Sequence, residues 1–585
     1  MRARREAIAR HDRADRRIAS GRLAVFAAAL AVAWAAFVAH RTSAWWLLAP
    51  AAAFVALATV HDRVLSARDR ARRAVAFYER ALERIAGRFA GTGTPGDAFG
   101  DPTHPYAVDL DLFGRGSLFE LLCAARTRPG EERLASWLLA PAQRDDLLAR
   151  QRAVAALAPR LDLREDLAVL GDDVRAAVDA RELAAWGEEG ALLEPWLLPA
   201  SLALAGAAIA AAVAWGLGGG PIPLLAVLLA EWGFARTLRE PIARALGGVE
   251  RPAAELRVLA LLLARLEREP LDDERLRRLQ AALAGRGAPS SARIAALVST
   301  VARLEWGRNQ LFAPVAFALS WGPLHAALVE RWRRAAGREI RGWLDAVAEL
   351  EALGSLAGYA YEHPGDPFPE LADGGPERLA LVEGEALRHP LLADAVPNDV
   401  RLGGAGPRVL LVSGSNMSGK STYLRTVGVN AVLALAGAPV RAARLRLSPV
   451  RVGATLRIQD SLQAGRSRFY AEITRLKELA DLAAGEVPLL FLLDEILHGT
   501  NSHDRRIGAE AVIRGLVASG AIGLVTTHDL ALTALAGGTA AGMLANAHFE
   551  DQVRDGEIAF DYRLKPGVVT HSNALALMRA VGLDV

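Results

Sequence analysis

Residues 414–422 read Gly-Ser-Asn-Met-Ser-Gly-Lys-Ser-Thr. The spacing of Gly414, Gly419, Lys420 and Ser421 satisfies the phosphate-loop pattern G-x-x-x-x-G-K-[ST]. An apolar run, Val-Leu-Leu-Val at 409–412, precedes it, and a helix-compatible stretch, 423–435, follows. That context supplies what an anion site needs. Glycines let backbone N–H groups wrap a phosphate, and the helix N-terminus adds partial positive charge. Gly414, Ser415, Asn416, Met417, Ser418, Gly419, Lys420, Ser421 and Thr422 are therefore the expected nucleotide-binding residues. The chain has 69 Lys+Arg but only three lysines, Lys420, Lys477 and Lys565. In a chain that uses arginine almost everywhere, the loop carries the compact ammonium, which suits a β/γ-phosphate niche better than a planar guanidinium fork.

Two further apolar runs complete the pattern. Residues 488–493 (Pro-Leu-Leu-Phe-Leu-Leu) end in Asp494-Glu495, and residues 522–527 (Ile-Gly-Leu-Val-Thr-Thr) lead to His528-Asp529. Unbroken apolar strands suit a parallel sheet buried on both faces, and such sheets bind ligands at their carboxyl ends. Asp494 is placed to hold Mg²⁺ together with the Ser421 hydroxyl, and Glu495 to polarise the attacking water. His528 can hydrogen-bond the γ-phosphate or that water. Between the first two strands, Ala-Gly-Arg-Ser at 464–467 enters a helical pattern and presents Ser467 either to an anion or as a helix cap.

With these elements in order, the chain resembles the MutS family of DNA mismatch repair ATPases, a branch of the ABC-type ATPases. The residues that carry the resemblance are Asn416-Met417 inside the loop, the continuation Ser421-Thr422-Tyr423-Leu424-Arg425, Ala464-Gly465-Arg466-Ser467 with Phe469, Asp494-Glu495-Ile496 with Gly499-Thr500, and Thr527-His528. Upstream, Arg388-His389-Pro390 and Val396-Pro397-Asn398-Asp399 look like the start of the family's ATPase domain. Asp109 to Phe113 with Gly116-Ser117-Leu118 looks like the start of its helical core. The resemblance implies an ATPase using ATP and Mg²⁺ and working as a homodimer. Ser467 would reach the γ-phosphate held by the other protomer, with 499–501 along the seam. ATP would then control closure of a clamp around DNA, mismatched or branched.

The chain also departs from the family. Set against the resemblance, the mismatch-recognition and connector domains before the core and the terminal dimerisation extension after it are expected to be absent. Phe77-Tyr78-Glu79 mimics the family's mismatch wedge but sits among Arg73, Arg80 and Arg84 in an amphipathic helical stretch, and reads as coincidence. Where relatives stack an aromatic on adenine, three residues before Asn398, this chain has Ala395.

The composition is apolar, 52% hydrophobic, and the excess is concentrated. Residues 23–39 and 44–60 are uncharged runs, each about 25 Å of helix, joined by a short polar link. Trp45 and Trp46 sit where interfacial aromatics would, and arginines flank both outer ends, which places those ends in the cytoplasm. Residues 195–230 form a second uncharged run, broken by Gly218-Gly219-Gly220-Pro221 into two short spans. Residues 311–329, interrupted by Pro314, Pro323 and His325, read as a core helix pair. One cysteine, Cys123, leaves no intramolecular disulfide or Cys-rich metal site, and a net charge of +3 gives no polyanion-binding signature.

The expected fold is an α/β carboxyl-terminal P-loop (ABC-type) ATPase domain preceded by an all-α core and lever domain, with N-terminal and inserted transmembrane hairpins. Its expected parts are 1–90, a basic tail and first hairpin; 91–194, the first part of the core; 195–236, the second hairpin; 237–385, core and lever; and 386–585, the ATPase domain. Glycine- and proline-rich 91–105 and 363–376 read as linkers. The expected protein is a membrane-tethered, DNA-coupled ATPase of the inner or cytoplasmic membrane, its ATPase domain in the cytoplasm. An ABC-type transporter ATPase or a nucleotide-gated membrane scaffold without DNA binding is the alternative; against the transporter, no Leu-Ser-Gly-Gly-Gln signature is present.

Overall fold

The apolar runs around the phosphate loop become a sheet. The computed structural model describes residues 1–171, 180–250, 253–285, 287–310, 312–372, 380–415, 417–457, 468–497, 501–528, 530–537, 542–554 and 557–569. The chain divides into two units, one comprising Met1–Leu82, Leu161–Glu269 and Leu283–Arg341, the other Glu83–Arg160, Pro270–Ala282 and Gly342–Val585.

Among the described residues the second unit holds ten strands: β1 (Glu370–Leu371), β2 (Leu381–Leu387), β3 (Asn398–Gly403), β4 (Val409–Ser413), β5 (Arg444–Leu447), β6 (Arg451–Thr455), β7 (Leu489–Asp494), β8 (Ile522–Thr527), β9 (Leu544–Arg554) and β10 (Glu557–Pro566). A small sheet runs β1-β5-β2-β3, and the main sheet runs β10-β9-β4-β8-β7-β6. In the main sheet β9, β4, β8, β7 and β6 are parallel, and β10 closes the edge antiparallel to β9.

Leu489 to Leu493 are wholly buried because helices cover both faces. Leu489, Phe491 and Leu493 pack with Leu476, Leu479, Ile513 and Leu516 from the helices Arg468–Ala483 and Ser502–Ala518. On the other face lies the helix Lys420–Ala436. It approaches so closely that a Cβ at Gly428 would stand 2.6 Å from Leu492 Cδ1 and 2.7 Å from Leu110 Cδ2. The Asp109–Phe113 stretch is part of this packing. Leu110 and Leu112 are fully buried, and Asp109 Oδ1 accepts from the Leu456 and Arg457 amides, each at 2.7 Å.

The expected linker at 91–105 is instead tied down. Glu120, 3% exposed, accepts from Gly91 and Gly93 N–H through Oε1 and from Gly116 N–H through Oε2. Glycine here brings amides onto a buried carboxylate, an arrangement that composition alone does not distinguish from a flexible joint. Of the second expected linker, 373–376 lie outside the described residues.

The first unit is helical. Helices Arg2–Phe37 and Leu48–Ile85 pair through their charged portions, with Asp15 accepting from Arg68 (2.9 Å) and lying 2.7 Å from His61 Nε2. Phe77 is buried and the Tyr78 hydroxyl donates to Glu165, so that triplet sits in a helix wall. The apolar ends of the same two helices leave Leu23, Leu30, Trp34, Leu48 and Val55 exposed, as is Trp45 in the turn between them. Among the described residues three helices, Arg2–Phe37, Ala44–Ile85 and Leu197–Gly216, are long and apolar enough to cross a membrane by length and composition. The remaining apolar run forms Ile222–Thr237, 16 residues or about 24 Å. Of the run 311–329, the described residues from 312 onward break at Ser320 (φ 46) into Ala313–Ala318 and Trp321–Ala336, the latter burying His325, Val329 and Arg333.

Arg333 is the polar anchor of this unit. Its guanidinium makes two 2.9 Å bonds to Glu330 and reaches the carbonyls of Trp186, Glu189 and Gly190, with side-chain exposure of 1% for Arg333 and 4% for Glu330. Removing one partner of such a pair strands a buried charge and several carbonyls. Arg333→Leu is expected to destabilise the helical unit by about 3–5 kcal/mol. An unchanged urea midpoint would contradict that role.

Candidate nucleotide-binding site

Strand order builds the site. β8 lies between β4 and β7, with Ser413 opposite Thr527 and Asp494 opposite Thr526. The phosphate loop leaving β4 and the acids leaving β7 therefore flank the carboxyl end of β8, about two strand spacings or 10 Å apart. Gly414 (φ 146) and Gly419 (φ 105) take backbone angles that side chains disfavour. A Cβ at Gly414 would also stand 2.8 Å from the Phe549 carbonyl.

Lys420 begins the buried helix and is itself 5% exposed. Its ammonium donates to the carbonyls of Gly414 (2.8 Å) and Ser415 (2.9 Å) and lies 3.5 Å from Glu495 Oε1. The Thr526 hydroxyl donates to Asp494 Oδ1 and accepts from the Glu495 amide at 3.0 Å, so one side chain orients both acids. Glu495 adopts φ 48, a left-handed angle at a strand end, and His528 Nδ1 lies 3.6 Å from Glu495 Oε1.

Lys420, Asp494 and Glu495 open onto one cavity of about 680 Å³. Ser415, Met417, Gly419, Lys420, Ser421 and Thr422 line its loop side, and Asp494 and Glu495 line it too. The buried hydroxyls of Ser415 and Ser418 have no hydrogen-bond partner among the described residues, donors suited to an anionic ligand. Ser421 and Asp494 offer hydroxyl and carboxylate oxygens, the hard donor set that suits Mg²⁺ beside phosphate. His528 is not among the cavity-lining residues and enters through its contact with Glu495. Asn416, Ser467, Gly499 and Thr500 lie outside the described residues.

Several lining residues come from beyond the expected site set, among them Tyr562, Asn398 and His389. Tyr562 sits where the β9–β10 register shifts, between Phe560 and Leu564, at φ 52. Asn398 fixes this irregularity, its side-chain N–H₂ donating to the Tyr562 carbonyl (2.9 Å) and its oxygen accepting from Leu564 N–H (2.7 Å). The Tyr562 ring thereby meets the phosphate loop, since a Cβ at Gly419 would stand 3.1 Å from Tyr562 Cδ1. A bulge re-aims a side chain without any local sequence signature, so Tyr562 was not legible. His389 is the third; Arg388-His389-Pro390 marked its position but not its part in the cavity.

The geometry defines a P-loop ATPase domain: loop, paired strand-end acids and a third strand bearing a histidine, on a largely parallel sheet. Residues 410–584 match the family model described as MutS domain V. The chain is 35% identical over 270 residues to the DNA mismatch repair protein MutS 2 of Halobacterium salinarum, covering 44% of this chain and 29% of that one. It is 34% identical over 260 residues to the DNA mismatch repair protein msh3 of Emericella nidulans, covering 42% and 22% respectively. The carboxyl-terminal part of this chain is thus a MutS-family ATPase domain. The chain spans less than a third of the length of these curated relatives.

Burial holds His389 neutral, pushing its pKa down to about 4 with help from the Arg425 charge. Its Nδ1 accepts from Leu391 N–H at 3.2 Å, which places the ring proton on Nε2. Because the folded pKa lies below the unfolded value of about 6.5, stability is fully present above pH 6.5 and is lost as pH falls toward 4. The loss is on the order of 3 kcal/mol. His389→Asn keeps an acceptor near the Nδ1 position and is expected to flatten this acid-side decline in thermal unfolding; an equally steep decline in the variant would contradict the assignment.

Proposed function

We propose that this protein hydrolyses ATP at a homodimer interface and couples the cycle to DNA, from a base on the inner or cytoplasmic membrane with the ATPase domain in the cytoplasm. The observation that carries the reading is the single cavity onto which Lys420, Ser421, Asp494 and Glu495 converge. Phosphoryl transfer asks a protein for charge neutralisation and positioning rather than covalent chemistry. Loop amides and the Lys420 ammonium hold the β- and γ-phosphates. Ser421 and Asp494 would hold Mg²⁺, which when bound neutralises charge shared by those phosphates. Glu495, kept in place by the hydrogen bond its backbone N–H donates to the Thr526 hydroxyl, orients the attacking water. His528 steadies the γ-phosphate or that water from beside Glu495. The Tyr562 ring gives the cavity an aromatic face where the position three residues before Asn398 is Ala395.

The homodimer, with Ser467 reaching the neighbour's γ-phosphate, rests on the family resemblance, as does DNA. The names of the matched relatives, DNA mismatch repair proteins, support the same reading. Membrane tethering is supported by the exposed apolar helices Arg2–Phe37, Ala44–Ile85 and Leu197–Gly216 and by the arginines that flank the outer ends of the 23–39 and 44–60 runs.

Glu495→Gln is expected to bind ATP as the parent does while releasing phosphate at least about a hundredfold more slowly. Turnover per chain should fall as the protein is diluted below its dimerisation range. Parental turnover in Glu495→Gln would remove this residue from the mechanism, and dilution-independent turnover would remove the shared site.

A further inference from the structure

The helix Leu197–Gly216 is bracketed by tryptophans. Trp196 and Trp215, each 52% exposed, stand 19 residues apart, about 28 Å along a helix and close to the ~30 Å hydrocarbon thickness. The returning helix Ile222–Thr237 brings Phe234 within 6.2 Å of the Trp196 ring, with Arg236 beside Trp232 in its last turn. One end of this hairpin therefore carries aromatic and cationic groups at a common level, as an aqueous interface requires.

A cavity of about 350 Å³ opens at that level, between the foot of Leu197–Gly216 and the helix Trp321–Ala336. Pro195, Leu198 and Ala327 form an apolar wall, and Arg331 and Arg334 supply guanidinium groups. Arg334 is held by Glu330 and by the Leu193 carbonyl, whereas Arg331 is exposed and in no ion pair among the described residues. The charge of Glu330 is already met by Arg333, both buried. With Glu194 also on the wall, the three arginines exceed the two carboxylates by one.

We propose that this cavity receives the phosphodiester headgroup of an anionic phospholipid, with Arg331 and Arg334 on the phosphate oxygens and Leu198 and Ala327 against the first acyl methylenes. Guanidinium forks match phosphate geometry, and the apolar wall continues onto the exposed helix that the acyl chains would follow. The inference rests on the membrane reading above and extends it from insertion to recognition of one lipid class.

Native mass spectrometry of the full chain in mild detergent tests it, with phosphatidylglycerol, phosphatidylcholine and soluble glycerol 3-phosphate as probes and liposome flotation run in parallel. One phosphatidylglycerol per chain is expected to be retained in preference to phosphatidylcholine. Arg331→Gln should weaken that retention about five- to tenfold, Arg331→Lys should partly restore it, and Glu194→Gln should strengthen it. If the protein floats with liposomes but both glutamine variants hold phosphatidylglycerol like the parent, the site falls and the membrane reading stands. Glycerol 3-phosphate binding as tightly as the lipid would overturn the lipid source, and failure to float would overturn the membrane reading as well.

Discussion

A strand ladder sets where every group of the nucleotide site can be. β8 pairs with β4 on one side and β7 on the other, and a slip of one residue in either ladder would turn each of its side chains to the opposite face. The register holds because both faces are buried. Phe491 and Leu493 are committed to one helix layer, and Leu492 to the other through its contact beside Gly428. From that commitment follow the placement of Thr526 between the phosphate loop and the acids, its bond to Asp494, and the Glu495 amide resting on the same hydroxyl. The helix Lys420–Ala436, buried along most of its length, fixes the loop from beneath. Packing that looks merely structural is what holds a lysine and two carboxylates around one cavity.

Local chemistry explains what could be read from the residues in order. A phosphate loop is strand, glycine turn and helix in continuous sequence, and strand-end acids announce themselves by an apolar run that stops. Long-range pairing explains what could not. Tyr562 reaches the cavity from an edge strand through a bulge clamped by Asn398, 164 residues earlier in the chain. His389 becomes neutral through burial that a His-Pro dipeptide does not foretell. The glycines at 91–105 carry the opposite lesson, since their amides converge on Glu120 and tie the segment into the second unit.

The helical unit shows a different balance. Its buried polar pair, Arg333 and Glu330, is joined by two 2.9 Å hydrogen bonds. Its apolar surplus lies outside, on Leu202, Ile209, Val213, Leu225 and Leu229, rather than in the core. Exposed apolar area of that extent on consecutive helix turns suits a partner, and the bilayer proposed above would account for its length and its tryptophan borders together. Arginine in place of lysine suits this surface too, because its charge persists in partly apolar surroundings.

Calorimetric titration of MgATP into the full chain tests the central claim most directly: a triphosphate lies in the cavity between the ends of β4, β8 and β7, gripped by the Lys420 ammonium. The account predicts saturable binding of one nucleotide per chain, weakened at least about tenfold by Lys420→Ala in a protein that remains folded. Binding of equal affinity in that variant, or none in the parent, would contradict it.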